Sequence, residues 1–169
     1  MTESLTRLTT RDGAEFTVRR ASAGDLPEIV ALLADDPLGQ SRESATVDDA
    51  YRQAFDAVDA DPGQLLLVIE TPGAAPEVVG TCQLTFIPGI SRHGMLRAQI
   101  EAVRIRADHS GQGLGTALFT WAISHARSRG CGLVQLTTDH SRADAHRFYD
   151  RLGFTASHTG YKLLLSADS

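Results

Sequence analysis

The stretch VRIRADHSGQGLGTAL, residues 103–118, decides the fold of this chain of 169 residues. Alternating β-branched residues before the glycines predict a strand, and the apolar residues after them recur at helical spacing. The chain therefore passes from a strand through a glycine-rich turn directly into a helix. Free backbone amides at the start of a helix bind anions, and glycines let the backbone approach a phosphate closely. The sequence predicts a site for a phosphate-bearing ligand at this turn.

Two common phosphate-binding motifs do not fit this turn. A P-loop needs Lys followed by Ser or Thr after its last glycine, whereas Gly115 is followed by Thr116 and Ala117. The dinucleotide fingerprint G-x-G-x-x-G has two residues between its second and third glycines, whereas Gly113 and Gly115 are separated by one residue. Considered alone, the three glycines are equally compatible with a tight turn that binds no ligand.

Hydrophobic periodicity on both sides of this stretch predicts a mixed α/β domain. Strands are expected over residues 16–19, 64–70, 78–86, 97–105, 133–138, 155–158 and 161–165. Helices are expected to begin near Asp25, Thr46 and Leu114, and a fourth to cover residues 143–152. Residues 1–14 are polar and aperiodic, which predicts a flexible N-terminal extension before a single domain over residues 15–169.

Composition excludes several classes of function. The formal net charge is −5, which argues against a nucleic-acid-binding surface. No stretch approaches the roughly 20 apolar residues of a membrane span, and the first residues lack the apolar core of a signal peptide. The two cysteines, Cys82 and Cys131, are too few for a disulfide framework, and the histidines show no metal-ligand spacing. We therefore expect a cytoplasmic protein with no metal, no nucleic-acid partner and no membrane attachment.

Two segments carry a resemblance to a known family. The glycine turn resembles the acetyl-CoA pyrophosphate loop of the GNAT superfamily of N-acetyltransferases, whose usual pattern is Arg/Gln-x-x-Gly-x-Gly/Ala. Ser110 stands where that family usually has Arg or Gln. The segment Ala145–Phe154 resembles the second signature of the family, Ala-x-x-Phe-Tyr followed by Gly-Phe. The resemblance spans roughly residues 16–165, which is nearly the whole chain.

The resemblance implies a GNAT-like α/β fold with a mixed (α+β) sheet. A central mixed sheet of six to seven strands would be flanked by about four helices, with a V-shaped splay between the fourth and fifth strands of the family. Backbone groups of Val103 and Ile105 are then expected to hold the pantetheine arm of acetyl-CoA in the splay. The other cofactor-binding residues that the resemblance implies are Ser110, Gly111, Gln112, Gly113, Leu114, Gly115, Thr116 and Arg142, the last standing where the family commonly has Asn.

Two residues are the candidates for catalysis. Tyr149 matches the usual general acid of the family, with packing beside Phe148 as the alternative. Because a phenol has a pKa of about 10 and a thiol of about 8.5, full proton transfer to the thiolate is uphill by about 2 kcal/mol, so a hydrogen bond to it is an equal alternative. Strand alternation places Glu101 opposite Ile100 and Ala102, next to the expected cleft. Glu101 is therefore the candidate base, directly or through a water, with a substrate anchor or an exposed carboxylate as alternatives.

The implied function is acetyl-CoA-dependent transfer of an acetyl group to a primary amine of a small molecule, by direct transfer in a ternary complex. A protein or peptide N-acetyltransferase and a non-catalytic acyl-CoA-binding sensory module are the alternatives. Gln83 and Arg97 are possible acceptor contacts, and Tyr161–Leu165 is a possible apolar edge for a homodimer. The second helix carries an acidic face that would either attract a cationic amine or simply be solvated; its residues, with the two just before it, are Asp35, Asp36, Asp48, Asp49, Asp56 and Asp59.

Overall fold

The computed structural model describes residues 4–35 and 46–165. The predicted acceptor contact Asp36 lies outside the described residues. Two compact units are present, Met1–Leu136 and Thr137–Ser169. The single domain expected over residues 15–169 stays a prediction.

A mixed sheet forms the first unit. Its six strands within the described residues are β1 (Ser4–Thr9), β2 (Glu15–Arg20), β3 (Gln64–Glu70), β4 (Val78–Ile87), β5 (Arg97–Ile105) and β6 (Leu133–Gln135). They lie in chain order, every neighbouring pair being antiparallel except the parallel pair β5–β6. The helices are α1 (Leu26–Ala34), α2 (Asp49–Ala60), the short kinked α3 (Ser91–Gly94), α4 (Leu114–Ser128) and, in the second unit, α5 (Ala143–Arg151). The predicted α/β class and mixed sheet are confirmed.

Helices cover both faces of the sheet. Leu26 and Ile29 of α1 and Phe55 of α2 form a buried cluster with Val68 of β3 on one face. On the other face, His125 of α4 lies edge-on to the ring of Phe86, and α4 also packs against β1 and β5. Alternation along each strand assigns its side chains to these two faces, so the register of the sheet fixes which residues can meet.

The N-terminal segment differs from the prediction. The sequence predicts a flexible extension over residues 1–14, and this is wrong for Ser4–Thr9, which pairs antiparallel with β2 as β1. The physical reason is Leu8, which is 4% exposed and lies opposite the buried Phe16. The threonines that make the segment polar are good strand formers; Thr6 lies on the same face as Leu8, and Thr9 lies on the outer face. The extra strand shifts the numbering, so the fourth and fifth strands expected from the family are β5 and β6 here.

The second unit also differs from the prediction in its last residues. The sequence predicts strands over residues 155–158 and 161–165, and within the described part of this unit neither forms. The apolar side chains there are solvated, Tyr161 being 93% exposed and Leu164 91% exposed. A run of apolar residues predicts an extended segment but does not identify a partner for its backbone groups, and without one a strand is not formed.

The β5–β6 pair contains the expected splay. Pairing covers only three residues of each strand, ending at Gln99 opposite Gln135, while β5 continues to Ile105. On the other side of β5, the pairing with β4 is interrupted by a β-bulge, in which two residues of β5 face Cys82. Ala102 in this bulge has a φ of +52°, a left-handed conformation that is uncommon for alanine. Beyond Gln99, β5 pairs with no described strand of the first unit on its β6 side, and we call this part of β5 the open half.

A buried ion-pair cluster joins β2 and β3 to the start of α1. The Arg19 guanidinium donates to both carboxylate oxygens of Asp25, at 2.7 and 2.8 Å, and its Nε donates to Glu70 at 2.9 Å. Side-chain exposure is 14% for Arg19, 10% for Asp25 and 13% for Glu70. Burial works to raise the pKa of Asp25, but hydrogen bonds from Arg19 and Ser22 outweigh it and hold the pKa below its usual value.

Replacing Asp25 by asparagine is expected to lower the free energy of unfolding by about 3 kcal/mol at neutral pH, because the buried Arg19 charge loses one carboxylate. The folded-state pKa of Asp25 is depressed. The stability that Asp25 supplies is thus complete above its unfolded pKa of about 3.9 and is lost as the pH falls through the folded value. Urea denaturation across this range should show the gap between wild type and variant shrinking in acid.

The control is Asp49→Asn, which removes an exposed ion pair with Arg52 (N–O 2.9 Å). This change should cost no more than about 0.5 kcal/mol. An equal cost for Asp49→Asn and Asp25→Asn, or a gap for Asp25→Asn that does not depend on pH, would contradict the assignment of the buried cluster.

Candidate functional site

The glycine loop between β5 and α4 presents free backbone donors. Gly111 and Gly113 have φ values of +78° and +88°, and Gly113 is the N-cap residue of α4. No side chain caps this helix, so the amides of its first turn, at Leu114, Gly115 and Thr116, have no partner within the helix. A Cβ added at Gly111 would meet no atom within 4 Å, so the loop is open on that side. This geometry fits an anionic group such as a pyrophosphate.

A cationic residue that the sequence analysis missed lies against this loop. Arg11, in the turn between β1 and β2, places its Cγ 3.2 Å from where a Cβ of Gly113 would be. The residue lies in the segment that the sequence analysis interprets as a flexible extension, and no motif marks it. The signal that could have found it is the pairing of Leu8 with Phe16, which brings the turn to the end of the sheet where α4 begins.

The predicted pantetheine contacts lie on the open half of β5. Val103 and Ile105 are half-buried and lie beyond the last pair formed with β6, Val103 within the bulge and Ile105 after it. β4 pairs with this part of β5 on one side, through Gly80 and Ile105, so only the backbone groups that point toward the β6 side are available for a ligand. The placement fits the expected role of both residues, which stays a prediction.

The candidate base Glu101 belongs to a hydrogen-bonded group of polar side chains. It lies on the exposed side of β5, opposite Gln83 of β4. The hydroxyl oxygen of Thr85 is 3.1 Å from Glu101 Oε1 and 2.9 Å from Gln64 Oε1. The Nε2 of Gln83 donates to the same Gln64 oxygen at 3.0 Å. Glu101 is therefore held by neighbouring strands, although its sequence neighbours do not indicate this.

The polar side chains on this face form a continuous group, which we call the polar row. The pairings Gln64–Thr85, Gln83–Glu101, Thr85–Gln99 and Gln99–Gln135 place them all on one face of the sheet. Its members are Gln64, Gln83, Thr85, Gln99, Glu101 and Gln135. Leu66, which lies opposite Gln83, packs against the α1–α2 cluster, so the row lies on the face that these helices cover. An uninterrupted row of hydrogen-bonding groups beside the splay is suited to a polar ligand.

Other predicted acceptor contacts divide into two groups. Gln83 lies in the polar row, and Arg97 lies on the same face of β5 with its Nε buried. Two of the acidic residues named with α2 have local partners. Asp48 accepts the first amides of α2, and Asp59 lies 3.7 Å from Arg20. Attraction of a cationic amine by the acidic face stays a prediction.

The remaining predicted site residues lie in the second unit. Tyr149 is half-buried on α5, with its ring 5.4 Å from Phe148 and 6.0 Å from Phe154. Arg142 is the N-cap residue of α5, and its amide donates to Asp139 O at 3.1 Å. The predicted aromatic packing of Tyr149 is thus present. The roles of Tyr149 and Arg142 stay predictions.

The cysteines lie outside this chemistry. Burial raises the pKa of the Cys82 thiol to about 12, with a smaller contribution from the charge of Glu101. Burial also raises the pKa of Cys131. The thiolate is the nucleophilic form of cysteine, so Cys82 is unreactive at neutral pH.

Residues 4–35 and 46–165 contain neither a metal-ligand cluster nor a membrane-spanning helix. There, no three or more His, Cys, Asp or Glu side chains gather in a way that could hold a metal ion. Over the same residues, no helix has the length and apolar character needed to span a bilayer.

Comparison with known families identifies the fold. A model of the acetyltransferase (GNAT) family matches residues 26–154, which is most of the chain and includes the glycine loop and Tyr149. The chain belongs to the GNAT acetyltransferase family. The resemblance and the enzyme class expected from the sequence, an N-acetyltransferase, are confirmed.

Individual relatives support this assignment. Aminoalkylphosphonate N-acetyltransferase from Salmonella typhimurium is 34% identical to this acetyltransferase over 109 residues, covering 64% of this chain and 68% of that protein. Streptothricin acetyltransferase from Streptomyces lavendulae is 28% identical over 142 residues, covering 84% of this chain and 64% of that protein. A crystal structure described as a transcriptional regulator from Bacillus halodurans C-125 is 45% identical, with a TM-score of 0.83, and the match covers 89% of this chain and 99% of that chain.

Gly113→Ala is expected to destabilise this acetyltransferase more than Gly111→Ala. An alanine at either positive φ costs about 1–2 kcal/mol of unfolding free energy. Only at Gly113 would the new methyl group also press on Arg11, at 3.2 Å. Urea denaturation measures the difference, and adding Arg11→Ala should relieve the excess. Equal losses for the two glycine variants would contradict the contact between Arg11 and the loop.

Proposed function

We propose that this acetyltransferase transfers an acetyl group from acetyl-CoA to a primary amine of a small molecule, directly, in a ternary complex. The observation that carries the proposal is the position of Glu101. It lies on the open half of β5, in a row of polar side chains, with its Oε1 3.1 Å from the Thr85 hydroxyl. A carboxylate beside the splay is in place to accept a proton from an amine bound there.

Binding of acetyl-CoA is assigned to backbone groups. Acetyl-CoA supplies the acetyl group as a thioester. The amides of residues 111–116, together with the positive end of α4, would hold its pyrophosphate. Ser110 cannot supply the charge that Arg gives in other family members, and Arg11 lies close enough to the loop to contribute a positive charge. Val103 and Ile105 would hold the pantetheine arm along the open edge of β5.

The chemistry then needs one proton acceptor and one stabiliser of the leaving thiolate. Glu101 takes a proton from the amine, directly or through a water, as the nitrogen forms its bond to the thioester carbon. The carbon–sulfur bond breaks, and the sulfur leaves with the electron pair. Tyr149 donates a proton or a hydrogen bond to this sulfur. Because Cys82 stays a buried thiol, no acyl-enzyme step is assigned to it.

A small, polar amine is the acceptor that the polar row favours. Amide and hydroxyl groups such as those of Gln83 and Thr85 bind hydroxyl or phosphonyl oxygens and amines, and they give little affinity to an apolar side chain. The named relatives act, by name, on an aminoalkylphosphonate and on streptothricin, both small molecules. The cytoplasmic location and a homodimer through residues 161–165 stay predictions, as does the absence of a metal, a nucleic-acid partner and membrane attachment.

Thiol release from acetyl-CoA, measured against aminoalkylphosphonates, amino sugars, polyamines and short peptides, tests the proposal. Turnover is expected with at least one small amine. Glu101→Gln should lower kcat/KM by about 10²-fold or more, because the base is removed. Tyr149→Phe should lower kcat about tenfold with acetyl-CoA affinity unchanged. Glu15→Gln, a carboxylate-to-amide change at an exposed position of β2, is the matched control and should leave activity unchanged.

Three results would contradict the proposal in different ways. Turnover with peptides but with no small amine would favour a protein or peptide acceptor. Acetyl-CoA binding in calorimetry without turnover on any acceptor would favour a regulatory module, as the description of the Bacillus halodurans relative suggests. Full activity of Glu101→Gln would remove Glu101 from the reaction while leaving the family assignment intact.

A further inference from the structure

The Thr85 hydroxyl lies between two oxygen atoms that can only accept. Gln64 Oε1 is 2.9 Å from it and Glu101 Oε1 is 3.1 Å from it. A hydroxyl group carries one proton, so it can donate to only one of these oxygens at a time. When Glu101 is ionised, the hydrogen bond to it is charge-assisted and about twice as strong as one to an amide oxygen. Thr85 then donates to Glu101.

The arrangement changes when Glu101 is protonated. The carboxylic acid becomes a donor, and the Thr85 oxygen is the acceptor within reach. With the added proton on Oε1, the Thr85 proton turns away from Glu101, and Gln64 Oε1 is placed to accept it. Gln64 itself is fixed by the Gln83 Nε2 hydrogen bond at 3.0 Å, and its own backbone amide donates to Asp61 O at 2.9 Å. Glu101 Oε1 therefore keeps a hydrogen bond with Thr85 in both protonation states.

We propose that Thr85 is a positioning residue for Glu101, whose hydroxyl holds the carboxyl group in both protonation states by exchanging its acceptor between Glu101 and Gln64. The inference rests on the proposed function, in which Glu101 is the base. One N–H bond of the amine breaks and one O–H bond forms on Glu101. Thr85 keeps its own proton and only rotates it, so the base can take up and release a proton without moving its side chain.

Backbone pairing makes this exchange geometrically constrained. Gln64 is paired directly with Thr85, and Gln83 directly with Glu101. Directly paired residues have Cβ atoms about 4.5–5.5 Å apart, so these side chains meet with little loss of conformational entropy. Isolated polar contacts on a protein surface lack this constraint.

Side-chain amide NMR of Gln64 tests the exchange independently of activity. As Glu101 titrates, the Nε2 resonances of Gln64 should shift, because its oxygen gains the Thr85 proton. The shift should be absent in Thr85→Val, which keeps the β-branched shape but lacks the hydroxyl, and in Glu101→Gln, which cannot titrate. The nearby Cys82 thiol has a pKa of about 12 and stays protonated throughout. A Gln64 shift that persists in Thr85→Val would overturn the proposal.

Kinetics of the same variants give the second arm. Thr85→Val should lower kcat about tenfold, as expected for one lost hydrogen bond to a charged group, with acceptor KM within about twofold. Thr85→Ser, which keeps the hydroxyl, should stay within about threefold of wild type. In a Glu101→Gln background, Thr85→Val should cause no further loss, because Thr85 acts through Glu101. Thr17→Val, the same change in β2, controls for loss of stability.

The outcomes separate the two ideas. Loss of activity in Glu101→Gln together with wild-type kcat in Thr85→Val would contradict the positioning role of Thr85 but not the proposed function. An equal further loss from Thr85→Val with and without Glu101 would also sink it, since Thr85 would then act independently. An active Glu101→Gln enzyme would remove the proposed base, while the NMR result would still decide whether Thr85 exchanges its acceptor.

Discussion

Backbone pairing between β5 and β6 ends after Gln99 and Gln135, and the arrangement of the candidate site follows from this point. Beyond this point β5 has no paired strand on its β6 side, so the backbone N–H and C=O groups on that side need another partner. The bulge at Ala102 lies just beyond this point and turns β5 relative to β4. Val103 and Ile105 are thereby placed on an open edge, and Glu101, just before the bulge, is still paired directly with Gln83 of β4. A side chain held by cross-strand pairing, that of Glu101, therefore lies within a few residues of backbone groups that a ligand can reach, those of Val103 and Ile105.

The two faces of the sheet differ in the polarity of their side chains. The face toward α4 is filled by apolar side chains, including Leu84, Leu118 and Phe119, each at most 2% exposed. The opposite face is apolar only beneath α1 and α2 and becomes polar toward β5. Burying polar groups is costly unless they are hydrogen-bonded, and the cross-strand bonds of the polar row meet that requirement without water. The fold therefore supports a polar surface beside a well-packed core.

Sequence patterns predicted the elements far better than the contacts between them. The bounds of β3 and β5, residues 64–70 and 97–105, agree with the prediction, because the apolar run of β3 lies between Pro62-Gly63 and Pro72-Gly73 and β5 is a long alternating run. β1 was missed because one buried residue, Leu8, is too weak a signal among threonines. The Thr85–Glu101 contact could not be predicted, since it depends on strand register and on the position of a bulge. Tyr149 was placed on the correct helix by a motif.

The contact between Arg11 and Gly113 links the beginning of the chain to the loop that precedes α4. Mutations in the turn between β1 and β2 can therefore alter the loop without changing any residue of its motif. During divergence, selection on cofactor affinity can act through a segment whose own sequence carries no family signature. Ser110 stands where the family usually has Arg or Gln. Changes in acetyl-CoA affinity among relatives are therefore best interpreted from the sequences of the β1–β2 hairpin and of the glycine loop together.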